Sequence, residues 1–207
     1  MELQMTMRFV STAIFLTLST TTSYCIAQPT IQSIISYGHP SPDGEGVLAV
    51  ANFVSIKNDG EVLFLASIDE PFNDLAIWSV KDSIVRQIVG VGDSLSNSSQ
   101  TITSVGLFEC NENGQIVFGG SLAGQSGIFL AERNELFLLA RVGDMAPGGA
   151  GTFTTFENIQ INESGGVVFF SELNSGESGI YQVDLDGVTT IAETGQQTEV
   201  GGHNNKY

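Results

Sequence analysis

Cysteine, histidine and basic residues are scarce in this chain of 207 residues. It has two cysteines, and Cys25 lies in a segment that we predict to be removed. Cys110 is then the single cysteine of the mature chain, which excludes a disulfide within it. The two histidines, His39 and His203, lie near opposite ends, whereas a zinc site needs several histidine or cysteine ligands held together. The sequence therefore predicts no zinc site, and Cys110 is interpreted as a small buried apolar residue.

The shortage of basic residues leaves the chain strongly acidic. It has 23 aspartates and glutamates against seven lysines and arginines, with a formal net charge of −16 at pH 7. Such a charge repels nucleic acid and anionic membranes over a Debye length of about 10 Å. Because 42% of the residues are apolar, the chain is not a disordered acidic tail. The composition predicts a folded acidic protein that does not bind nucleic acid.

Long apolar runs are also missing, apart from a short one near the amino terminus. Residues 9–18 follow Arg8 and are mostly apolar, and small or polar residues then lead to Ala27. This order is typical of a secretory signal peptide, whereas a membrane-spanning helix needs about 20 apolar residues. We predict a signal peptide over residues 1–27 and no transmembrane span in the mature chain; an uncleaved N-terminal anchor is the alternative. The mature protein is expected to be exported to the extracellular space, cell surface or periplasm.

No segment has an apolar stripe at helical spacing with caps, so we predict almost no helix. Short runs rich in valine, isoleucine and phenylalanine, bounded by glycine, asparagine, aspartate or serine, predict strands instead. A run at residues 31–37 resembles only the last strand of a further unit. The predicted complete units have strands at 48–56, 62–68, 75–80 and 83–89, at 102–110, 115–121, 127–131 and 136–142, and at 153–161, 167–173, 179–183 and 188–192.

One turn motif occurs three times, with its glycines 54 and 51 residues apart. It reads Asn-x-x-Gly, one variable residue, two apolar residues and phenylalanine. Lys57 replaces the asparagine in the first copy. An asparagine side chain bonds its own backbone two residues on, and glycine supplies a positive φ, so together they set the register of a hairpin. The repeated positions are Gly60, Phe64, Asn111, Gly114, Phe118, Asn162, Gly165 and Phe169.

The three phenylalanines of the motif are interpreted as a packing layer between stacked sheets. A stripe of aromatic residues that stacks on a ligand is the sharper alternative, but burial in a core explains the pattern. Four short strands in a unit of about 51 residues are typical of a β-propeller blade. The predicted fold class is therefore all-β, with tandem four-stranded antiparallel units in a propeller-like arrangement.

The predicted domain organisation is a single repeat domain over residues 28–207. Because closed propellers have about four to eight blades and only three complete units occur, we expect an open or incomplete array, or part of a longer product. The open sheet edges of such an array favour self-association. The predicted segments are a partial unit at 28–46, units at 47–96, 97–148 and 149–198, and a tail at 199–207.

The repeats resemble a family of bacterial secreted proteins with a tandem NxxGxxxF-type motif, the choice-of-anchor repeat proteins. The resemblance spans residues 31–198 and is strongest in the second and third units; it is weaker in the first, at Lys57. It implies export, repeat architecture and varied anchoring signals, and it implies no established activity.

Two segments resemble the first half of a calcium loop, which places oxygen ligands at alternate positions before a glycine. Asp184 and Asp186 form one, and Asn111 and Asn113 form the other. The second half, with its bidentate glutamate, is missing from both. Hairpin turns of this composition are common, so the plain turn is the competing interpretation. Calcium is the one cofactor that the sequence suggests, and only weakly.

No catalytic residue can be assigned from the sequence. A G-x-S-x-G nucleophile motif is absent, and no glycine-rich loop precedes a helix that could hold phosphate. The acidic residues offer many carboxylate pairs for glycoside cleavage, but nothing selects one pair.

The preferred functional interpretation is an exported scaffold for binding or surface display, with an extracellular polysaccharide or protein as its partner. The alternatives are a fragment of a propeller-type polysaccharide hydrolase or lyase, and a structural spacer. Residues that depart from the repeat are better functional candidates than those that obey it. The main departures are Lys57, the loop around Pro71 and the tail after Gly195.

Overall fold

The computed structural model describes residues 5–10, 13–18, 33–36, 38–42, 44, 46–68 and 75–195. The chain divides into two compact units, Met1–Ser36 and Tyr37–Tyr207. In the first unit, strands β1 (Met5–Val10) and β2 (Ala13–Leu18) pair as an antiparallel hairpin. Both strands lie within the predicted signal peptide, whose cleavage stays a prediction.

The second unit contains three antiparallel sheets, in each of which the strands follow one another in chain order. The first sheet is β3 (His39–Pro40), β4 (Val47–Ile56), β5 (Val62–Ile68), β6 (Ala76–Lys81) and β7 (Ile84–Gly90). The second is β8 (Ile102–Cys110), β9 (Ile116–Leu122), β10 (Gln125–Glu132) and β11 (Glu135–Arg141). The third is β12 (Glu157–Ile161), β13 (Val167–Glu172), β14 (Ser178–Asp184) and β15 (Gly187–Glu193).

The predicted fold class is confirmed, because the described part is all-β and its second unit is a tandem series of antiparallel sheets, one with five strands and two with four. Among the described residues, the one helical element is a 3₁₀ turn at Pro147–Gly149, so this part contains no helix that could span a membrane. Most predicted strand boundaries differ from the observed ones by one or two residues. One prediction is wrong: residues 33–36, inside the strand expected at 31–37, are not in a strand, and the other residues of that run lie outside the described part.

The repeated motif forms the hairpin turn between the first two long strands of each sheet. Gly60, Gly114 and Gly165 have φ of 83°, 81° and 84°, a conformation that side chains with a Cβ resist. In the third turn, Oδ1 of Asn162 accepts hydrogen bonds from the backbone N–H groups of Ser164 and Gly166 at 3.0 and 2.8 Å. This is the local asparagine bond that the motif predicts, and it fixes the hairpin register.

A cross-strand pair of aromatic side chains lies at the centre of each sheet. Phe118 is opposite Phe129, with ring centroids 5.3 Å apart, and Phe169 is opposite Tyr181 at 5.5 Å. In the first sheet, Phe64 is opposite Trp78, whose indole N–H donates to a backbone carbonyl. All six side chains are at most 2% exposed. Each pair therefore removes a large apolar area from water.

Two hydrophobic clusters join the sheets in sequence. The first cluster combines Leu63 and Ile77 of the first sheet with Phe118 and Phe129 of the second. The second combines Val117 and Ile128 of the second sheet with the aromatic residues of the third. In the described part of the chain, no such cluster joins the third sheet to the first. The sheets form a linear stack, in which the aromatic pairs of the second and third sheets pack on the preceding sheet.

Candidate ligand-binding cleft

The three motif turns contact one another along the stack. Both carboxylate oxygens of Glu112 accept from the backbone N–H of Asn58, at 2.9 and 3.1 Å. The backbone N–H of Glu112 in turn donates to Oε2 of Glu163 at 3.1 Å. The side-chain amide of Asn111 donates to the carbonyl oxygen of Asn162 at 2.9 Å, and Asn111 is only 2% exposed. The repeated polar residues therefore stabilise contacts between units as well as their own turns.

The residues that the sequence suggested as calcium ligands make hydrogen bonds within or between the turns. The side-chain amide nitrogen of Asn113 donates to the backbone carbonyl of Glu163 at 2.6 Å, so this side chain takes part in a contact between turns. Oδ1 of Asp184 accepts from the backbone N–H of Asp186 and Gly187, as in an ordinary hairpin turn. Within the described residues, no group of three or more histidine, cysteine, aspartate or glutamate side chains could hold a metal ion. The structure does not bring the two calcium candidates together.

A cleft of about 600 Å³ lies between the first and second sheets. Apolar side chains of both sheets form its floor, including Leu63, Ile116 and Leu136. Charged side chains surround this floor: Lys57, Glu61, Arg86, Asp93, Glu132, Arg133 and Glu135. Three of the seven lysines and arginines of this acidic chain therefore line this cleft.

Two arginines of the cleft stand where the next unit has apolar residues. When β7 and β11 are aligned on the Gly-Asp pair that follows each strand, Arg86 of β7 stands at the position of Phe137 in β11. Arg133, at the turn that borders the cleft, corresponds to Leu185 in the third unit. Between the second and third sheets, Leu139 packs against the second hydrophobic cluster, whereas its counterpart Ile88 lines the cleft. At Arg86 and Arg133, arginine therefore stands where the next unit has phenylalanine or leucine.

Lys57, the first departure predicted from the sequence, lines this cleft. Its Nζ lies 3.0 Å from Oε2 of Glu61 and 4.0 Å from Oδ2 of Asp59, and its side chain is 11% exposed. The hydrogen bond to Glu61, assisted by the charges of both carboxylates, raises the pKa of Lys57 above its usual value, although burial opposes this. Lys57 is therefore a fixed positive charge at neutral pH and cannot serve as a nucleophilic amine.

Cys110 also lines the cleft and is half-buried against the first hydrophobic cluster. Its Sγ lies 3.3 Å from Oγ of Ser55. Burial raises the pKa of the Cys110 thiol above its usual value, which outweighs the opposite effects of Ser55 and Lys57. The thiolate is the reactive form of cysteine, so this protonated thiol is poorly suited to nucleophilic catalysis.

Two charged side chains of the cleft have no partner within the described residues. Neither Arg86 nor Glu135 makes an ion pair or a side-chain hydrogen bond there, and both are exposed. Glu132, in contrast, accepts from the side-chain amide of Gln115 at 3.1 Å and lies 3.5 Å from Nε of Arg133. As far as the described residues show, the cleft therefore offers one free cation and one free anion beside its apolar lining. This arrangement suits noncovalent binding of a ligand that carries charge.

A smaller groove of about 400 Å³ lies between the second and third sheets. It is lined mainly by glycine, serine and threonine, with Phe156 and Ile159 at one side. Its serine hydroxyls partly bond each other, as Ser104 does with Ser121 at 2.8 Å. It has no charged lining residue and is a weaker candidate site.

Sequence reasoning identified Lys57 as a place to look for function, but it did not identify Arg86, Glu132, Arg133 or Glu135. A residue-by-residue comparison of the fourth strands would have shown arginine where the second unit has phenylalanine. The loop around Pro71, the tail after Gly195 and His203 lie outside the described residues.

Comparison with known families gives one match, which occurs twice along the chain. Residues 8–127 and residues 119–206 each match a family of unknown function, DUF7453. Because these matches span nearly the whole sequence, the chain belongs to this family. Two matches to one family model agree with the internal repetition of the sheets. No curated protein and no solved structure matches the chain.

Proposed function

We propose that this DUF7453 protein is an exported binding scaffold that holds its ligand in the cleft between the first and second sheets. The observation that carries the proposal is the charged cleft at this interface, lined by Arg86 and Arg133 where the next unit has Phe137 and Leu185. A stack of repeats that served only as a spacer has no need of a charged cleft between two of its units. Burying less apolar area there lowers stability, so the departure favours a function for the opening.

The chemistry of the lining supports binding rather than nucleophilic catalysis. Lys57 is held as an ammonium by Glu61, and the thiol of Cys110 is kept protonated by burial. Both pKa values are thus raised, whereas an activated nucleophile needs a lowered pKa or an adjacent general base. A hydrolase or lyase that used a carboxylate pair remains the competing proposal, and turnover of a polysaccharide would support it instead.

Export and surface display are part of the same proposal. They are supported by the short apolar segment after Arg8 and by the resemblance to choice-of-anchor repeat proteins. The net charge of −16 disfavours nucleic acid as the ligand, so we propose an extracellular polysaccharide or protein instead.

A binding screen with matched variants tests the cleft. The purified mature chain is titrated by calorimetry with polygalacturonate, neutral glucans and short peptides. Arg86→Ala removes the free cation of the cleft, whereas Arg141→Ala removes an exposed arginine outside it. We expect at least one probe to bind the parent protein and Arg141→Ala equally, and to bind Arg86→Ala about tenfold more weakly. Binding that Arg86→Ala leaves unchanged would contradict the proposed site.

A further inference from the structure

The cleft is open to the edge of a β-strand, and not only to the face of a sheet. β7 is the last strand of the first sheet. Arg86 is paired with Ser79, and Gln87 with the next residue of β6, Trp78, so their side chains point to opposite faces of the sheet. Both line the cleft. A cavity that reaches neighbouring residues on opposite faces must be bordered by the backbone between them.

The backbone of this edge is available for pairing. Within the described residues, the backbone groups of residues 84–89 make no hydrogen bonds outside the pairing with β6. The corresponding edge of the second sheet differs at one residue, Leu136, whose carbonyl accepts from the N–H of Ser96 and whose N–H donates to Oγ of Ser96. Proteins usually protect exposed strand edges, since these pair readily with other chains.

The side chains along β7 are suited to a partner. Ile84 and Ile88 are 55% and 38% exposed, and the unpaired Arg86 lies between them. The regular pairing of β7 with β6 covers residues 84–87, because a bulge leaves Ile88 without a partner. The open edge is therefore about four residues long, with an arginine near its middle and apolar side chains beside it.

We propose that the ligand of the cleft is an extended peptide segment that adds to β7 as an antiparallel or parallel strand, with an acidic side chain opposite Arg86. This inference rests on the proposed function and specifies its ligand class. Backbone hydrogen bonds to the edge supply affinity, and side-chain contacts supply specificity, as in other cases of strand addition. Among the described residues that line the cleft there is no aromatic ring on which a sugar could stack, which favours a peptide over a polysaccharide.

Two fluorescein-labelled, terminally blocked peptides test the inference by anisotropy: Thr-Val-Glu-Val-Thr and the same peptide with lysine in place of glutamate. The parent protein should bind the glutamate peptide about tenfold more tightly. Arg86→Glu should reverse this preference, and Arg141→Glu should not. Because Arg86 is exposed, the variant should fold, which circular dichroism verifies. A glutamate peptide N-methylated at both valines should lose about tenfold in affinity, since it lacks two backbone donors.

The outcomes separate this inference from the function on which it rests. An unchanged preference in Arg86→Glu, or full binding of the N-methylated peptide, would overturn strand addition at β7. If polygalacturonate binds and Arg86→Ala weakens it, while neither peptide binds, the cleft is a binding site but its ligand is not a peptide. If no probe binds and the variants behave alike, both proposals fail.

Discussion

Glu112 connects the turns of successive units: its carboxylate accepts from the backbone N–H of Asn58, and its own N–H donates to the carboxylate of Glu163. Asn58 and Glu112 are 54 residues apart, and Glu112 and Glu163 are 51 apart. The glutamate that follows the motif asparagine therefore links one turn to the preceding one. These contacts lie at the same end of all three sheets.

Removing this link should destabilise the stack. Glu112→Ala deletes the acceptor for the Asn58 N–H, which we expect to lower the free energy of unfolding by about 1 kcal/mol. Glu112→Gln keeps an acceptor oxygen and should lose less. Urea denaturation measures both, with Glu157→Ala as a control because the side chain of Glu157 is exposed and makes no hydrogen bond or ion pair within the described residues. Equal stabilities of Glu112→Ala and the control would refute the link.

The aromatic pairs should dominate the stability of the core. Phe169 is 1% exposed and contacts the rings of Phe153, Phe156 and Tyr181. Phe169→Ala should cost about 3–5 kcal/mol, as is usual for a buried phenylalanine. Leu107→Ala, at a residue that is 63% exposed, should change stability by less than about 0.5 kcal/mol. A loss below about 1 kcal/mol for Phe169→Ala would contradict the core position of this ring.

Two of the three motif glycines, Gly60 and Gly114, should be required for their conformation and not for space. Gly114 has a φ of 81°, and no atom lies within 4 Å of the place where a Cβ would be added. Gly114→Ala should therefore cost only the conformational penalty of about 1 kcal/mol, and Gly114→Asn less, because asparagine tolerates positive φ. Gly120→Ala is the contrasting case, since its Cβ would lie 2.6 Å from the carbonyl oxygen of Ser104. Thermal unfolding should rank Gly120→Ala as the more damaging of the two alanine variants.

The Lys57–Glu61 ion pair of the first turn corresponds to the Asn111–Gln115 hydrogen bond of 2.6 Å in the second turn. We expect the two members of the ion pair to be energetically coupled. Lys57→Asn leaves the Glu61 carboxylate without its cation, and Glu61→Gln leaves the ammonium without its anion. Each single variant should lose about 1 kcal/mol, whereas the double variant recreates the second-unit pair and should lose less than the sum. A double-mutant cycle with a coupling energy near zero would exclude a stabilising pair at this position.

Tyr181 should make the stability fall at high pH. Burial, helped by the hydrogen bond to Glu193 at 3.0 Å, raises the pKa of Tyr181 from 10.0 to about 12. Unfolding then releases a proton between these two pH values, so the free energy of unfolding decreases with pH there, by at most about 1.4 kcal/mol per pH unit. Below pH 10 both states are protonated and the effect vanishes. Tyr181→Phe should remove this part of the pH dependence, which is measured as the difference from the parent protein in alkaline denaturation series.

The strands and hairpins were predictable because their signals are local. The runs of valine, isoleucine and phenylalanine between turn residues predicted most strands of the three sheets to within one or two residues, and Gly60, Gly114 and Gly165 have the positive φ that the motif requires. Repetition at about 51 residues predicted tandem sheets, since a single four-stranded sheet cannot bury both of its faces. The strand expected at 31–37 was less secure because it had no hairpin partner, and its described part is not in a strand.

The strands, turn conformations and apolar faces of each unit can be read from the chain alone, because they follow from patterns within a few residues of each other. Which polar side chains meet between units, and where a cleft remains, depends on how the sheets pack. Glu112 reaches Asn58, and Arg86 and Glu135 line one cleft, because stacking brings residues some 50 positions apart into contact. The packing of two sheets depends on the volumes of all side chains between them. The effect of having Arg86 where the second unit has phenylalanine can therefore be seen only in the packed structure.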